Sequence, residues 1–154
     1  MSYMSNCIYN YSEVRLNNKG TLDLASDPGS SACNGIKSES NFILTCSGDS
    51  KTTISNGYPI QAYNALKNDV SIYIQDNAEF TVAAAKQYGI LNYTKLIVGN
   101  GTDGSTKCNA KVSVTTSVNA ALYARPATGK QSLTVFNSTN PVTLKKTGSA
   151  ATAL

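Results

Sequence analysis

Apolar and polar residues alternate along most of this chain in short runs, as in Phe42-Ile43-Leu44-Thr45, Ser71-Ile72-Tyr73-Ile74 and Lys111-Val112-Ser113-Val114. A period of two marks strands that bury one face only. Gly, Asn and Asp interrupt the runs at Asn17-Asn18-Lys19-Gly20, Asp49, Asp76-Asn77 and Asn137-Ser138, where the backbone must turn. The inward pairs recur every thirty residues: Leu22/Leu24, Thr52/Ile54, Val82/Ala84, Val112/Val114 and Val142/Leu144. A second series keeps that interval with Phe42/Leu44 and Ile72/Ile74, Val14 standing one period earlier. A third runs Ile60, Ile90, Ala120 and Ala150, and Tyr63, Tyr93 and Tyr123 follow its first three members by three residues.

Each period divides into three short strands, at 41–45, 52–55 and 59–63 in the second and at 71–75, 80–84 and 89–93 in the third. A fixed repeat of this length predicts strands stacked turn upon turn. The fold expected is all-β: a single-stranded right-handed parallel β-helix (a solenoid) of about five coils of ~30 residues, with three strands per coil. An antiparallel sandwich also suits short strands, but it would not require one spacing five times over. Insertions fall in turns. Gly99-Asn100-Gly101-Thr102-Asp103-Gly104-Ser105 delays the fourth coil. Asp27-Pro28-Gly29-Ser30 displaces Asn34-Gly35-Ile36 by six residues from its match with Tyr88-Gly89-Ile90. Residues 1–154 read as one β-helix domain, expected to be a piece of a larger protein, with Cys7-Ile8-Tyr9 forming a partial coil at the start.

Composition removes several kinds of chemistry. Only 14% of the 154 residues are charged, and there is no His. A Ser-His-Asp triad, a His-ligated zinc and a His general base are therefore excluded. The net charge of +4 is scattered along the sequence, with Lys145-Lys146 the one adjacent basic pair, so no nucleic-acid face is expected. No apolar run approaches the ~18 residues of a membrane helix, which argues against membrane insertion. Residues 1–11 show no signal peptide. Asp76 and Glu79 bracket a turn, Asp23 stands outward on a strand and Asp103 lies in the glycine-rich insertion. None forms the pair of carboxylates that a glycosidase places across its cleft. No metal and no cofactor is expected. Gly99–Gly104 lacks the Gly-Lys-Ser/Thr ending of a phosphate loop and reads as a turn.

The remaining candidates are mostly structural. Asn17, Asn77, Asn100 and Asn137 suit tight bends, because Asn tolerates left-handed backbone and bonds to nearby main chain. The sequons at Asn10, Asn92, Asn100 and Asn137 reflect a composition rich in Asn, Ser and Thr. Cys46 shares the inward parity of Phe42 and Leu44, and Cys7 with Cys33 could staple the first coil. The pairing of these two with Cys46 and Cys108 is open. If Ile60 and Ile90 face inward, residues three further on face outward, so Tyr63, Tyr93 and Tyr123 would share one lateral face. Exposed tyrosines offer ring faces and a hydroxyl at low entropic cost, with Asn92 and Arg125 nearby as hydrogen-bonding partners. Placing Leu122 rather than Ala120 beside Ile90 would move Tyr123 out of that ladder.

Tyr88-Gly89-Ile90 followed by Leu96-Ile97-Val98-Gly99, and Ser132-Leu133-Thr134-Val135-Phe136-Asn137 followed by Val142-Thr143-Leu144, resemble coils of pectate-lyase-like β-helices. They are more closely similar to the small carbohydrate-binding-type β-helix domains of secreted and surface proteins of gut bacteria. The resemblance runs from about Val14 onward and is a pattern of coils, not a signature motif. It implies a non-catalytic carbohydrate-binding or adhesive module, extracellular or on the cell surface, with a polysaccharide or surface glycan as partner. The alternative is a structural spacer or assembly module that associates end to end. A polysaccharide lyase or glycoside hydrolase is the third reading, and it leaves open whether the chain is an enzyme.

Overall fold

The computed structural model describes residues 6–25, 34–55, 58–62, 70–85, 88–92, 94–124, 126 and 131–148. Among these residues fifteen strands are wound through three parallel sheets, one strand of each sheet per coil. The first sheet holds β1 (Asn6–Asn10), β4 (Asn34–Ser38), β7 (Tyr58–Ala62), β10 (Ile90–Asn92) and β13 (Leu122–Ala124). The second holds β2 (Val14–Asn18), β5 (Phe42–Cys46), β8 (Val70–Ile74), β11 (Lys95–Val98) and β14 (Leu133–Phe136). The third holds β3 (Thr21–Ala25), β6 (Lys51–Ser55), β9 (Glu79–Ala85), β12 (Lys111–Thr116) and β15 (Val142–Lys146). Consecutive strands thus belong to different sheets, and every pairing is to the coil before or after. This is a parallel β-helix of the expected three strands per coil, and its first strand includes Cys7-Ile8-Tyr9.

The interior is a set of aliphatic columns. Ile8, Ile36, Ile60, Ile90 and Leu122 stack in the first sheet, which places Asn34-Gly35-Ile36 where its likeness to Tyr88-Gly89-Ile90 put it. Leu16, Leu44, Ile72 and Leu96 stack in the second. Leu24, Ile54, Val82, Val114 and Leu144 stack in the third. Side chains of the middle coils such as Phe42, Leu44, Ile54, Ile72, Phe80, Val82 and Ile90 are fully buried. Burial of that kind stabilises by ~1.5–3 kcal/mol per side chain.

The register corrects the uniform thirty-residue interval. In the third sheet Thr52 lies beside Phe80 and Ile54 beside Val82, so Phe80/Val82, rather than Val82/Ala84, are the third pair. The shift is two residues, which leaves the same side chains facing inward and so does not disturb the alternation. In the second sheet Phe42 meets Val70 and Leu44 meets Ile72. In the first, Leu122 replaces Ala120 beside Ile90. Coil length varies because the turns, not the strands, absorb the differences.

The corners are closed by side chains that bond two residues ahead. Asn10 Oδ1 accepts from the Ser12 amide at 3.0 Å, and Asn18 Oδ1 accepts from the Gly20 amide at 3.0 Å. Both asparagines are buried, and each also donates to the next coil: Asn10 to Ser38 Oγ and Asn41 O, Asn18 to Thr52 Oγ1 and Lys51 O. The corner residue is therefore Asn18, while Asn17 is exposed. The Asn10 amide, although in a sequon, is occupied inside the fold.

The glycine-rich insertion lies back on the outer face of the second sheet. Asn100 and Thr106 form an antiparallel bridge, and Asn137 holds the loop through Gly104 O at 2.9 Å. Gly104 has φ of +70°, and a Cβ there would stand 2.7 Å from Ile97 Cγ2 and 3.0 Å from Val135 Cγ1. Ile97 is consequently 0% exposed although it points away from the main core. Cys46 is buried in the core as its parity predicted, with its sulfur 3.2 Å from Thr52 Oγ1, and burial pushes its thiol pKa up. Cys108 is also buried, and Cys7 donates to Ala25 O at 3.4 Å. Cys33 and the insertion 27–30 lie outside the described residues, as do Ala150 and the four residues after it.

Candidate functional site

The outward column of the first sheet holds Tyr9 and Lys37 at one end and Leu91 and Tyr123 at the other. It is aromatic at both ends. Tyr123 is 41% exposed and stacks on Tyr88, with ring centroids 4.6 Å apart and planes inclined by 17°. Tyr88 is half-buried against the core, which anchors the pair. Gly89 makes that arrangement possible, since a Cβ there would collide with Val114 and lie 2.6 Å from Ala121 O. Leu91 beside Tyr123 is nearly buried, so the ring rises from an apolar floor.

At the other end the Lys37 ammonium sits 4.7 Å from the centroid of the Tyr9 ring, and Tyr11 tilts against that ring at 4.5 Å. The Tyr9 hydroxyl donates to Glu39 Oε1 at 2.5 Å, and Lys37 pairs with the same carboxylate at 3.6 Å. The hydrogen bond to Glu39 holds the Tyr9 phenol well above its ordinary pKa of 10.0, and the phenol keeps its proton. The cation lies against the ring within the range of a favourable cation–π contact.

Of the five residues assigned to a binding face from sequence, Tyr123 is the one whose side chain is described. Its neighbour in β10 is Leu91, so it stands in a different column from the one implied by its spacing to Tyr63 and Tyr93. Asn92 closes β10 and pairs through its backbone with Ala124. Tyr63, Tyr93 and Arg125 lie outside the described residues. Tyr9, Tyr11 and Tyr88 were missed because their spacing to the tyrosine series is irregular. Tyr88 was legible only as the residue before Gly89-Ile90.

A second constellation occupies the corner between the second and third sheets. Asp49 Oδ1 accepts from Asn77 Nδ2 at 2.9 Å, Asn77 Oδ1 from Asn109 Nδ2 at 3.3 Å, and Asn109 Oδ1 from Thr139 Oγ1 at 2.6 Å. Four successive coils are thereby linked through side chains. Beside this ladder Glu79 lies between Lys111 at 3.2 Å and Lys51 at 3.6 Å, its partners in strand register. The hydrogen bond from Lys111, helped by the charge of Lys51, lowers the Glu79 pKa below its ordinary 4.5. With Asn140, all of these groups but Thr139 line an open groove of about 350 Å³. Glu79 is a carboxylate at neutral pH, an acceptor for hydroxyl groups rather than a proton donor. Among the described residues no three His, Cys, Asp or Glu side chains gather as a metal site.

No protein-family model, curated protein or solved structure matches this chain.

Proposed function

We propose that this chain is a non-catalytic carbohydrate-binding module acting outside the cell or at its surface, and that it grips glycan through the outer face of its first sheet. The observation that carries the reading is the Tyr88–Tyr123 stack, a half-exposed aromatic pair fixed at one end to the core. A sugar ring presents C–H groups on one face and hydroxyls at its rim. An immobile aromatic surface receives the first, and polar groups of the same face receive the second. The likeness of the coils to carbohydrate-binding-type and pectate-lyase-like β-helices supports the same class of ligand. On this reading Tyr63, Tyr93, Asn92 and Arg125 also contact the glycan.

The test is a glycan array with soluble protein, followed by affinity electrophoresis on the polysaccharides retained. Tyr123→Ala is expected to weaken binding about tenfold, the effect of losing one stacking surface together with its buried area. Tyr63→Ala and Tyr93→Ala are expected to weaken it as well, with thermal midpoints unchanged. An array without hits, or three variants that bind like wild type, would sink the proposal.

A further inference from the structure

Each end of the first sheet's outward column carries a pair of rings. Tyr9 meets Tyr11 at 4.5 Å between centroids, and Tyr123 meets Tyr88 at 4.6 Å. Among the tyrosines whose side chains are described, Tyr73 alone stands outside these pairs. In both pairs one ring is held and the other is open. Glu39 and Lys37 fix Tyr9, and Tyr11 beside it is 72% exposed. Tyr88 packs against the core, and Tyr123 stands half-exposed above it. Lys37 and Leu91, the column residues next to these rings, are largely covered. The rings are therefore what both ends of the column offer to a ligand.

Three strands, β4, β7 and β10, separate β1 from β13. Four steps of ~4.8 Å set the two pairs ~19 Å apart along the coil axis, roughly four or five pyranose rings of an extended chain. A disaccharide fills one pair, whereas a longer chain laid across the strands reaches both. Joining two weak contacts through one ligand makes the second intramolecular and raises affinity steeply.

Charge sets the kind of chain. Within the five described strands of this sheet Lys37 is the one charged residue. Its ammonium is engaged by Glu39 at 3.6 Å and by the Tyr9 ring. The strands of the third sheet, by comparison, carry Asp23, Lys51, Glu79, Lys111, Lys145 and Lys146. A uronate or sulfate group would find no uncompensated cation on the described strands of the first sheet, and its desolvation would go unrewarded.

Resting on the glycan reading above, we propose that the ligand is a linear, uncharged polysaccharide. Its chain crosses the strands of the first sheet along the coil axis and is gripped by an aromatic pair at each end. An internal stretch of polymer satisfies both pairs, so no chain end is required.

Titration calorimetry with cello-, xylo- and manno-oligosaccharides, from disaccharide to octasaccharide, is the measurement. Oligogalacturonides of the same lengths supply the charged comparison. At least one uncharged series is expected to gain tenfold or more in affinity between the disaccharide and the hexasaccharide, then to level off. Tyr11→Ala, at an exposed position, is expected to abolish that gain while the thermal midpoint stays unchanged. Affinity that does not rise with length, or a rise that survives Tyr11→Ala, overturns the proposal. In either case binding that Tyr123→Ala weakens leaves the glycan reading standing at the Tyr88–Tyr123 stack. Oligogalacturonides that bind as tightly as the uncharged series also overturn it. Absence of binding by every series overturns it too, and the glycan array then decides the wider reading by itself.

Discussion

Asn18 donates its side-chain amide to Thr52 Oγ1 across 2.9 Å, joining a corner of the first coil to an inward position of the second. Thr52 is the one polar member of the column Leu22, Thr52, Phe80, Val112 and Val142, and this bond is the reason. Both groups are buried, so neither has water to fall back on. Thr52→Val keeps the shape and removes the acceptor, and it is expected to cost about 1–2 kcal/mol in urea unfolding. Asn18→Ala also removes the bonds to Lys51 O and from the Gly20 amide, so it should cost more. A double-mutant cycle between them should show coupling. Strict additivity would refute the assignment.

Ser50 is the opposite case. It is fully buried just before β6, and its hydroxyl has no hydrogen-bond partner among the described residues. The equivalent positions in the next two coils are Ala78 and Ala110, also fully buried. Ser50→Ala is therefore expected to leave stability unchanged or raise it by up to ~1 kcal/mol. A clear drop in the unfolding midpoint would show that the hydroxyl is bonded after all.

Gly104 should not tolerate a side chain. A Cβ there meets Ile97 and Val135, and the left-handed φ adds backbone strain. Gly104→Ala is expected to cost ~1–3 kcal/mol and to lift the 99–107 loop off the second sheet. Hydrogen exchange reads this out as faster exchange of the Asn100 and Asn137 amides, which donate to Thr106 O and Val98 O. Unchanged protection at both would contradict the packing described.

Glu79 gives the fold a dependence on acid. Its carboxyl pKa is lowered in the folded chain, so its contribution is present above the unfolded value of about 4.5 and is lost as pH falls through the folded value. Glu79→Gln should flatten the decline of stability below about pH 4.5 and leave the profile above pH 6 parallel to wild type. Added salt should shrink the difference, because the three side chains are well exposed. Identical acid limbs for the two proteins would show that the lysines do not hold the carboxylate.

The repeat was legible because stacked inward positions must be apolar, and Leu24, Ile54, Val114 and Leu144 are. Its exact register was not. Phe80/Val82 and Val82/Ala84 satisfy the same alternation, and hydrogen bonds between strands, invisible in the sequence, choose between them. The same ambiguity decided Tyr123, because Ala120 and Leu122 are both apolar and only one lies beside Ile90. Asn18 was passed over for Asn17, since adjacent asparagines differ only in which one faces the core. The signal that separates them is the residue two ahead: Gly20 after Asn18 and Ser12 after Asn10 supply the amides of the turn. The charge ladder Lys51–Glu79–Lys111 spans residues about thirty apart and becomes visible only once the coils are aligned.

Among the described residues each strand is bonded only to its counterparts one coil away, and none returns to an earlier coil. A pull on the two ends therefore loads the coils in series, as links rather than as a slab. Unzipping should proceed from whichever end yields first, one coil per event. Each event releases roughly thirty residues, about 100 Å of slack chain. The structure left behind after each event is a shorter helix of the same kind.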